Sequence, residues 1–401
     1  MAIRQKLENI PSWLVGGIAF CLPFGLPLVN FLGILLGLFG IWKLVNTKLR
    51  FSLSNLGLGK SLLIGFFFIH VLSLLWTENY SEGLFRVQQR FLFLLWPWAF
   101  AFAFEEKINR STPWISFLVG LFLAVLFCFV HSYLHNSIPS AWFYTNFSWF
   151  MHPSYFSLFV VFGSFFCLLS FLNLLESLSL PKWVWLFLYL FFSISLYFIE
   201  SKSGQVSWAI LSGIGLFYWI GQKLRFRISV FLFVFLFVFG LLKMDQLRNN
   251  LGERYQQMLT GINVGSSQAL ESTGGRIQSF EAGWKICKEN WLIGVGIGDE
   301  QSALQKEFRE QNFTYASHHK LNCHNQFLQT WLATGIFGLF ILIVLVLLPL
   351  ILNPSILSFG FSVLLILNLL VESMLERQIG LFFFTFFYLL LLQTKEKQSY
   401  P

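Results

Sequence analysis

The chain has 401 residues, of which 56% are hydrophobic and 11% charged, with 51 phenylalanines and a formal net charge of +8. Soluble domains run at about 45–50% apolar and about 25% charged, and so few charges would leave a water-facing surface of this size largely apolar. A soluble globular enzyme and a disordered chain are both excluded, which leaves an all-α polytopic membrane protein.

A helix needs roughly 17–25 apolar residues to cross a bilayer, and about twelve transmembrane helices can be read along the chain. The first apolar run, 13–42, is too long for one comfortable span and is divided in two by Pro23, Gly25 and Pro27. It lacks a small-residue cleavage site and leads into further spans, so no cleavable signal peptide is expected. The next spans fall near 61–76, 84–104, 114–134, 154–172, 183–199, 204–220 and 228–242. A long hydrophilic stretch intervenes before 327–352, 356–374 and 379–392.

Loop charge sets the orientation. With the N-terminus inside, the inner segments hold Arg4, Lys6, Lys43, Lys48, Arg50, Lys60, Lys107, Arg110, Lys182, Lys223, Arg225, Arg227, Lys395 and Lys397. The short outer segments hold at most Arg86, Arg90, Lys202 and Arg377. That asymmetry follows the positive-inside rule and accounts for the basic balance without any nucleic-acid partner. The chain then divides into spans one to nine over 1–242, one large outer loop over 243–323 between spans nine and ten, and the last three spans with a short inner tail over 324–401.

Within the outer loop, Ile277, Phe280, Trp284, Cys287 and Trp291 recur at helical spacing and predict an amphipathic helix. Its apolar face would either lie at the membrane interface or pack on the spans, and packing is the expectation. Gly294 to Asp299 resembles a dinucleotide fingerprint only superficially, lacking the third glycine in place and any βαβ context; it reads as a tight turn. The five cysteines show no CxxC pair and no zinc spacing, and Cys287 and Cys323 are expected to be free thiols. With two aspartates in the chain and no DxD pair, the hard oxygen ligands of a metal-dependent transferase are missing, and no metal or cofactor is expected.

His318, His319 and His324 cluster just before span ten. A zinc site would find only Cys323 beside them. A neutral imidazole at the aqueous end of a membrane helix is placed to take a proton from a hydroxyl, although a histidine that only anchors the helix would look the same.

His324-Asn325, followed after nine residues by Gly335-Ile336-Phe337-Gly338, resembles the signature of the O-antigen ligase superfamily. Met151 to Tyr155, Glu200 to Gly204, Arg276 with Trp284 and the Gly294–Gly298 turn, and Glu372 to Arg377 resemble it in the same order along most of the chain. The resemblance implies a GT-C-like glycosyltransferase of the bacterial inner membrane with its site facing the periplasm. It implies His324 as the catalytic base, with Asn325, Gly335 and Gly338 as motif support. Two cations are implied for the donor diphosphate: Arg276, and Lys202 where the family carries arginine. Lys202 keeps the charge but lacks the planar fork that grips phosphate in two places. Arg86, Arg90 and Arg377 also stand near the outer face as candidate substrate-binding residues, with pairing to Glu82 or Glu376 as the alternative. The implied donor is an undecaprenyl-diphosphate-linked glycan, and the implied acceptor is lipid A core or another glycan. A polymerase of the same superfamily is the near alternative. A transporter or flippase is the distant one, since no matched broken helices or mid-membrane polar groups appear.

Overall fold

A computed structural model describes residues 2–46, 56–103, 111–135, 142–175, 180–223 and 274–393. Every regular element among them is helical. The predicted span 228–242 and the first part of the outer loop lie outside the described residues.

Helices α1 (Ala2–Cys21) and α2 (Leu26–Asn46) are separated by a 3-10 turn, Leu22–Phe24. Gly25, at φ +116°, makes the reversal, where the prolines and glycine suggest a break. Helix α3 (Gly57–Leu72) continues through a 3-10 turn to Trp76. The expected span 84–104 is not one helix. It is an amphipathic α4 (Tyr80–Gln89) and an apolar α5 (Leu92–Ala103), because Arg90 is buried at the junction against an acidic partner. Helices α6 (Ser111–Leu134), the short α7 (Tyr144–Phe147), α8 (Pro153–Phe171), α9 (Lys182–Ile199) and α10 (Lys202–Lys223) follow. Beyond the outer loop's undescribed part come α11 (Gly275–Glu289), α12 (Glu300–Glu310), α13 (Thr314–His318), α14 (Gln326–Leu352), α15 (Ile356–Leu369) and α16 (Gln378–Leu392).

Six described helices are long and apolar enough to cross a membrane, and Ile10–Phe24, Ile356–Leu369 and Gln378–Leu392 are shorter apolar helices. Two of the other expected spans contribute differently: α5 is short, and α10 mixes serine, glycine and glutamine among its apolar residues.

The centre of the bundle is built from α8 and α16, whose residues are almost all buried. Phenylalanine fills it. Phe387 packs on Phe117 and Phe162 at 4.8 Å each, and Trp114 stacks on Phe166 at 4.8 Å. Offset and edge contacts of this kind favour well-defined ring positions, so the unusual phenylalanine content becomes the cement between spans.

One end of the bundle is polar. There the outer-loop helices α11 to α13 meet the α3–α4 turn and the segment after α15. Asp299 accepts hydrogen bonds from the Glu78 and Asn79 N–H groups at 2.6 and 2.9 Å. The Gly294–Asp299 stretch is a turn that docks on the spans. Gly294 (φ +72°) lies against the Leu332 carbonyl, and Gly296 (φ +96°) against Thr77. All five cysteines are free, and Cys287 and Cys323 are buried.

Candidate functional site

The polar end holds an open cavity of about 810 Å³ lined from separate parts of the chain. Leu26 and Gln89 border it on one side and Tyr144, His152 and Tyr155 on another. Arg276, His319 to Asn322 and His324 come from the outer loop, and Glu372, Glu376, Arg377 and Gln378 follow α15.

His324 sits one residue before the cap of α14. Its backbone is left-handed, at φ +47°, a conformation that costs an ordinary residue about 1 kcal/mol or more. The turn is held because the His324 N–H donates to Asn322 Oδ1 at 2.9 Å. Asn325 then caps the helix, its Oδ1 accepting from the Leu328 N–H at 3.0 Å. Its Nδ2 donates to the Leu370 carbonyl at 3.1 Å, and Gln326 Oε1 accepts from the Leu375 N–H at 2.7 Å. The first turn of α14 thus clamps the 370–376 segment from both ends.

That clamp brings Glu372 to His324. The Glu372 carboxylate lies 3.5 Å from His324 Nδ1 and 3.5 Å from Arg276 Nη2. Burial raises the Glu372 carboxyl, but His324, Arg276 and His152 outweigh it and hold the group below the ordinary carboxylate range. His324 Nδ1 is buried and has no hydrogen-bond partner within reach among the described residues, so the carboxylate is its neighbour of closest charge. Catalytic hydrogen bonds are commonly long before substrate arrives. His152, at the start of α8, is pushed below its usual value by burial, and Arg276 and Arg377 push the same way.

Arg276 stands in the first turn of α11 with its side chain about half exposed. Among the described residues its ion-pair partner is Glu372. Arg377 is exposed and lines the cavity. Arg86 and Arg90 are turned inward: Arg86 pairs with Glu82 at 2.9 Å and Glu376 at 2.8 Å, and Arg90 with Glu376. Burial raises Glu376, but the two arginines more than reverse it and keep its carboxyl low. Lys202 is exposed at the start of α10 and does not line the cavity; beside it, Ser201 hydrogen-bonds Ser157 on α8 at 2.9 Å. His318 and His319 are exposed, with the His319 ring 4.3 Å from Tyr315. No three His, Cys, Asp or Glu side chains among the described residues gather where they could hold a metal ion.

The two motif glycines have separate tasks. Gly335, at φ +70°, breaks α14, and the Ile336 N–H freed there donates to the Trp291 carbonyl at 3.0 Å. Gly338 leaves room for the Thr334 side chain.

Glu372, His152 and Tyr155 have no role in the sequence reading although the motifs containing them do. The available signal was a carboxylate at the end of an apolar span, in a chain with only 19 acidic residues, where an ionisable group is costly without a task.

Residues 186–343 match a family model described as O-antigen ligase, which assigns that stretch to the superfamily its motifs resemble. The stretch contains Lys202, Arg276, His324, Asn325, Gly335 and Gly338; Glu372 and His152 lie outside it. No curated protein matches the chain.

Proposed function

We propose that this chain, an O-antigen ligase superfamily protein over 186–343, is an inverting glycosyltransferase that needs no metal. It moves a glycan from undecaprenyl diphosphate to an acceptor hydroxyl at the periplasmic face of a bacterial inner membrane. The observation that carries the reading is the convergence of His324, Glu372 and Arg276 in an open polar cavity at the end of a membrane bundle.

In this reading His324 Nε2 takes the proton of the acceptor hydroxyl as that oxygen attacks the anomeric carbon. The bond from that carbon to the diphosphate oxygen breaks, and its electron pair leaves with the diphosphate. Attack opposite the leaving group inverts the centre. Glu372 stabilises the imidazolium that forms and orients the ring, as the third member of a nucleophile–base–orienter chain does. Arg276 and Arg377 face the developing phosphate charge. Lys202 joins them on the strength of the family pattern. Arg86 and Arg90 act one step back, by fixing Glu376 in the cavity wall. The leading acceptor is lipid A core. A strain lacking the protein would then accumulate full lipid-linked polymer beside bare core, whereas core bearing a single repeat would mark a polymerase.

The residue test is direct. His324→Ala should cut transfer by about 10²–10⁴-fold, the worth of positioned acid–base catalysis, while binding of the lipid-linked donor survives. His318→Ala and His319→Ala should cost much less. Near-normal transfer by His324→Ala, with loss in either neighbour, would remove His324 as the base.

A further inference from the structure

Helix α11 has two apolar sides of different character. Gly275, Ser279, Ala282, Gly283, Ile286 and Cys287 are buried, with Gly283 close against Cys323 and Leu328. The other side faces outward: Ile277, Phe280 and Trp284 are 38%, 43% and 42% exposed, and the following turn adds Trp291, Leu292 and Ile293 at 55%, 44% and 46%. Of the stripe expected to pack on the spans, only Cys287 is buried. Phe280 stacks on Trp284, Trp284 meets Trp331 edge-on at 5.6 Å, and the Lys288 ammonium lies 5.3 Å over the Trp284 ring. A contiguous apolar surface of this kind marks a partner.

The level of that surface along the spans identifies the partner. The Trp291–Val295 turn is bonded to α14: Trp331 Nε1 donates to the Trp291 carbonyl at 2.9 Å, and the Val295 N–H to the Leu332 carbonyl at 2.8 Å. Helix α14 is broken at Gly335, and its unbroken part from Ile336 to Leu352 runs about 25 Å at 1.5 Å per residue, against a hydrocarbon layer of about 30 Å. Measured from its inner end at Leu352, the break at Gly335, where the Trp291–Val295 turn docks, falls in the outer leaflet, near the hydrocarbon boundary. Below that level the outward side of α14 continues with Phe337 and Phe340, 56% and 65% exposed, as a surface facing acyl chains.

We propose that the Ile277–Phe280–Trp284 stripe and the Trp291–Ile293 turn are seated in the outer leaflet of the membrane, so that α11 is an interfacial helix whose partner is lipid. Its chemistry fits that layer. Tryptophan rings favour the headgroup boundary, an amphipathic helix lies flat with its apolar face among the upper acyl chains, and Lys288 reaches up from Trp284 toward lipid phosphate. The Lys285–Glu307 ion pair marks the side of α11 that faces α12 and water. This placement does not depend on the transferase reading. Where both hold, the first turn of α11 sets Arg276 at the height of a lipid's phosphates.

The test uses the full chain in phosphatidylcholine bilayers whose acyl chains carry bromine either near the headgroup or near the chain terminus. An environment-sensitive fluorophore is attached singly at Phe280→Cys, Trp284→Cys, Lys306→Cys or Phe340→Cys, with identically treated native protein, whose cysteines are all buried, as background. Bromine near the headgroup should dim the labels at 280 and 284 more than bromine near the chain terminus, and should leave the label at 306 unchanged. The label at 340 should show the reverse depth order, which verifies that the protein spans the bilayer. Labels at 280 and 284 that behave like the one at 306, whether in water or beneath a protein partner, overturn the proposal. Dimming of those labels that is strongest with bromine near the chain terminus also overturns it.

Discussion

At the scale of single residues, the informative object is the carboxylate between an imidazole and a guanidinium. Glu372 faces both His324 and Arg276, so its removal has opposed effects on the two. Glu372→Gln should lower the rate of transfer by up to about 10²-fold, the lower bound of what positioned acid–base catalysis supplies. Donor binding should hold or tighten, because Arg276 loses its competitor for phosphate. Measuring kcat and donor KM separately checks this, and a rise in KM at unchanged kcat would contradict it. His324 is singled out in the sequence by its place before a membrane helix and by the resemblance of His324-Asn325 and the following glycines to the superfamily signature. Glu372 is not, because the contact joins two outer segments through hydrogen bonds of Asn325 and Gln326 to backbone groups near it, and no spacing rule predicts tertiary bonds of that kind.

Among elements, the joint between α14 and the outer loop controls the geometry. Gly335 occupies a backbone region that only glycine enters freely, and a Cβ there would collide with the Leu292 carbonyl. Gly335→Ala should therefore cost about 1–3 kcal/mol in backbone strain alone, visible as a lowered melting temperature in detergent. A second joint is electrostatic. Glu300 on α12 is buried beside Arg86, and Gln329 on α14 donates to its carboxylate. Burial pushes the Glu300 carboxyl up to about 7 from 4.5, with Glu376 adding to the rise and Arg86 and Arg90 opposing it. A carboxyl raised by folding gives its full stability below its unfolded value and loses it as pH climbs through the folded one. Melting temperatures taken from about pH 5 to about pH 8 should fall more steeply in the native protein than in Glu300→Gln; parallel curves would place the proton elsewhere. Span-level reading missed the α4–α5 break, since hydropathy averages over the one buried arginine that makes it. It also turned the α11 stripe inward, because periodicity identifies a face and not the solvent that face meets.

For the molecule as a whole, the loops expected outside converge on one end, with the α3–α4 turn, the outer-loop helices and the segment after α15 joined by hydrogen bonds and ion pairs. A reporter enzyme fused at Asn312 should be active only outside the cytoplasm, and one fused after Lys223 only inside; the reverse at either position would invert the assigned orientation. Helical class was open to composition, while the packing of short apolar helices such as α15 and α16 depends on ring contacts that no single segment reveals. The clamp at the start of α14 carries one more consequence. The stretch that matches the family model ends at residue 343, yet the carboxylate facing His324 and the arginines that brace its neighbour come from the two flanks, at 372 and at 86 and 90. The matched stretch therefore lacks some of the groups that meet around the cavity. A chimera that transplanted 186–343 into an unrelated bundle would carry the imidazole without its counter-charge, and co-expressed halves cut between α15 and α16 would have to reassemble before either held a complete site.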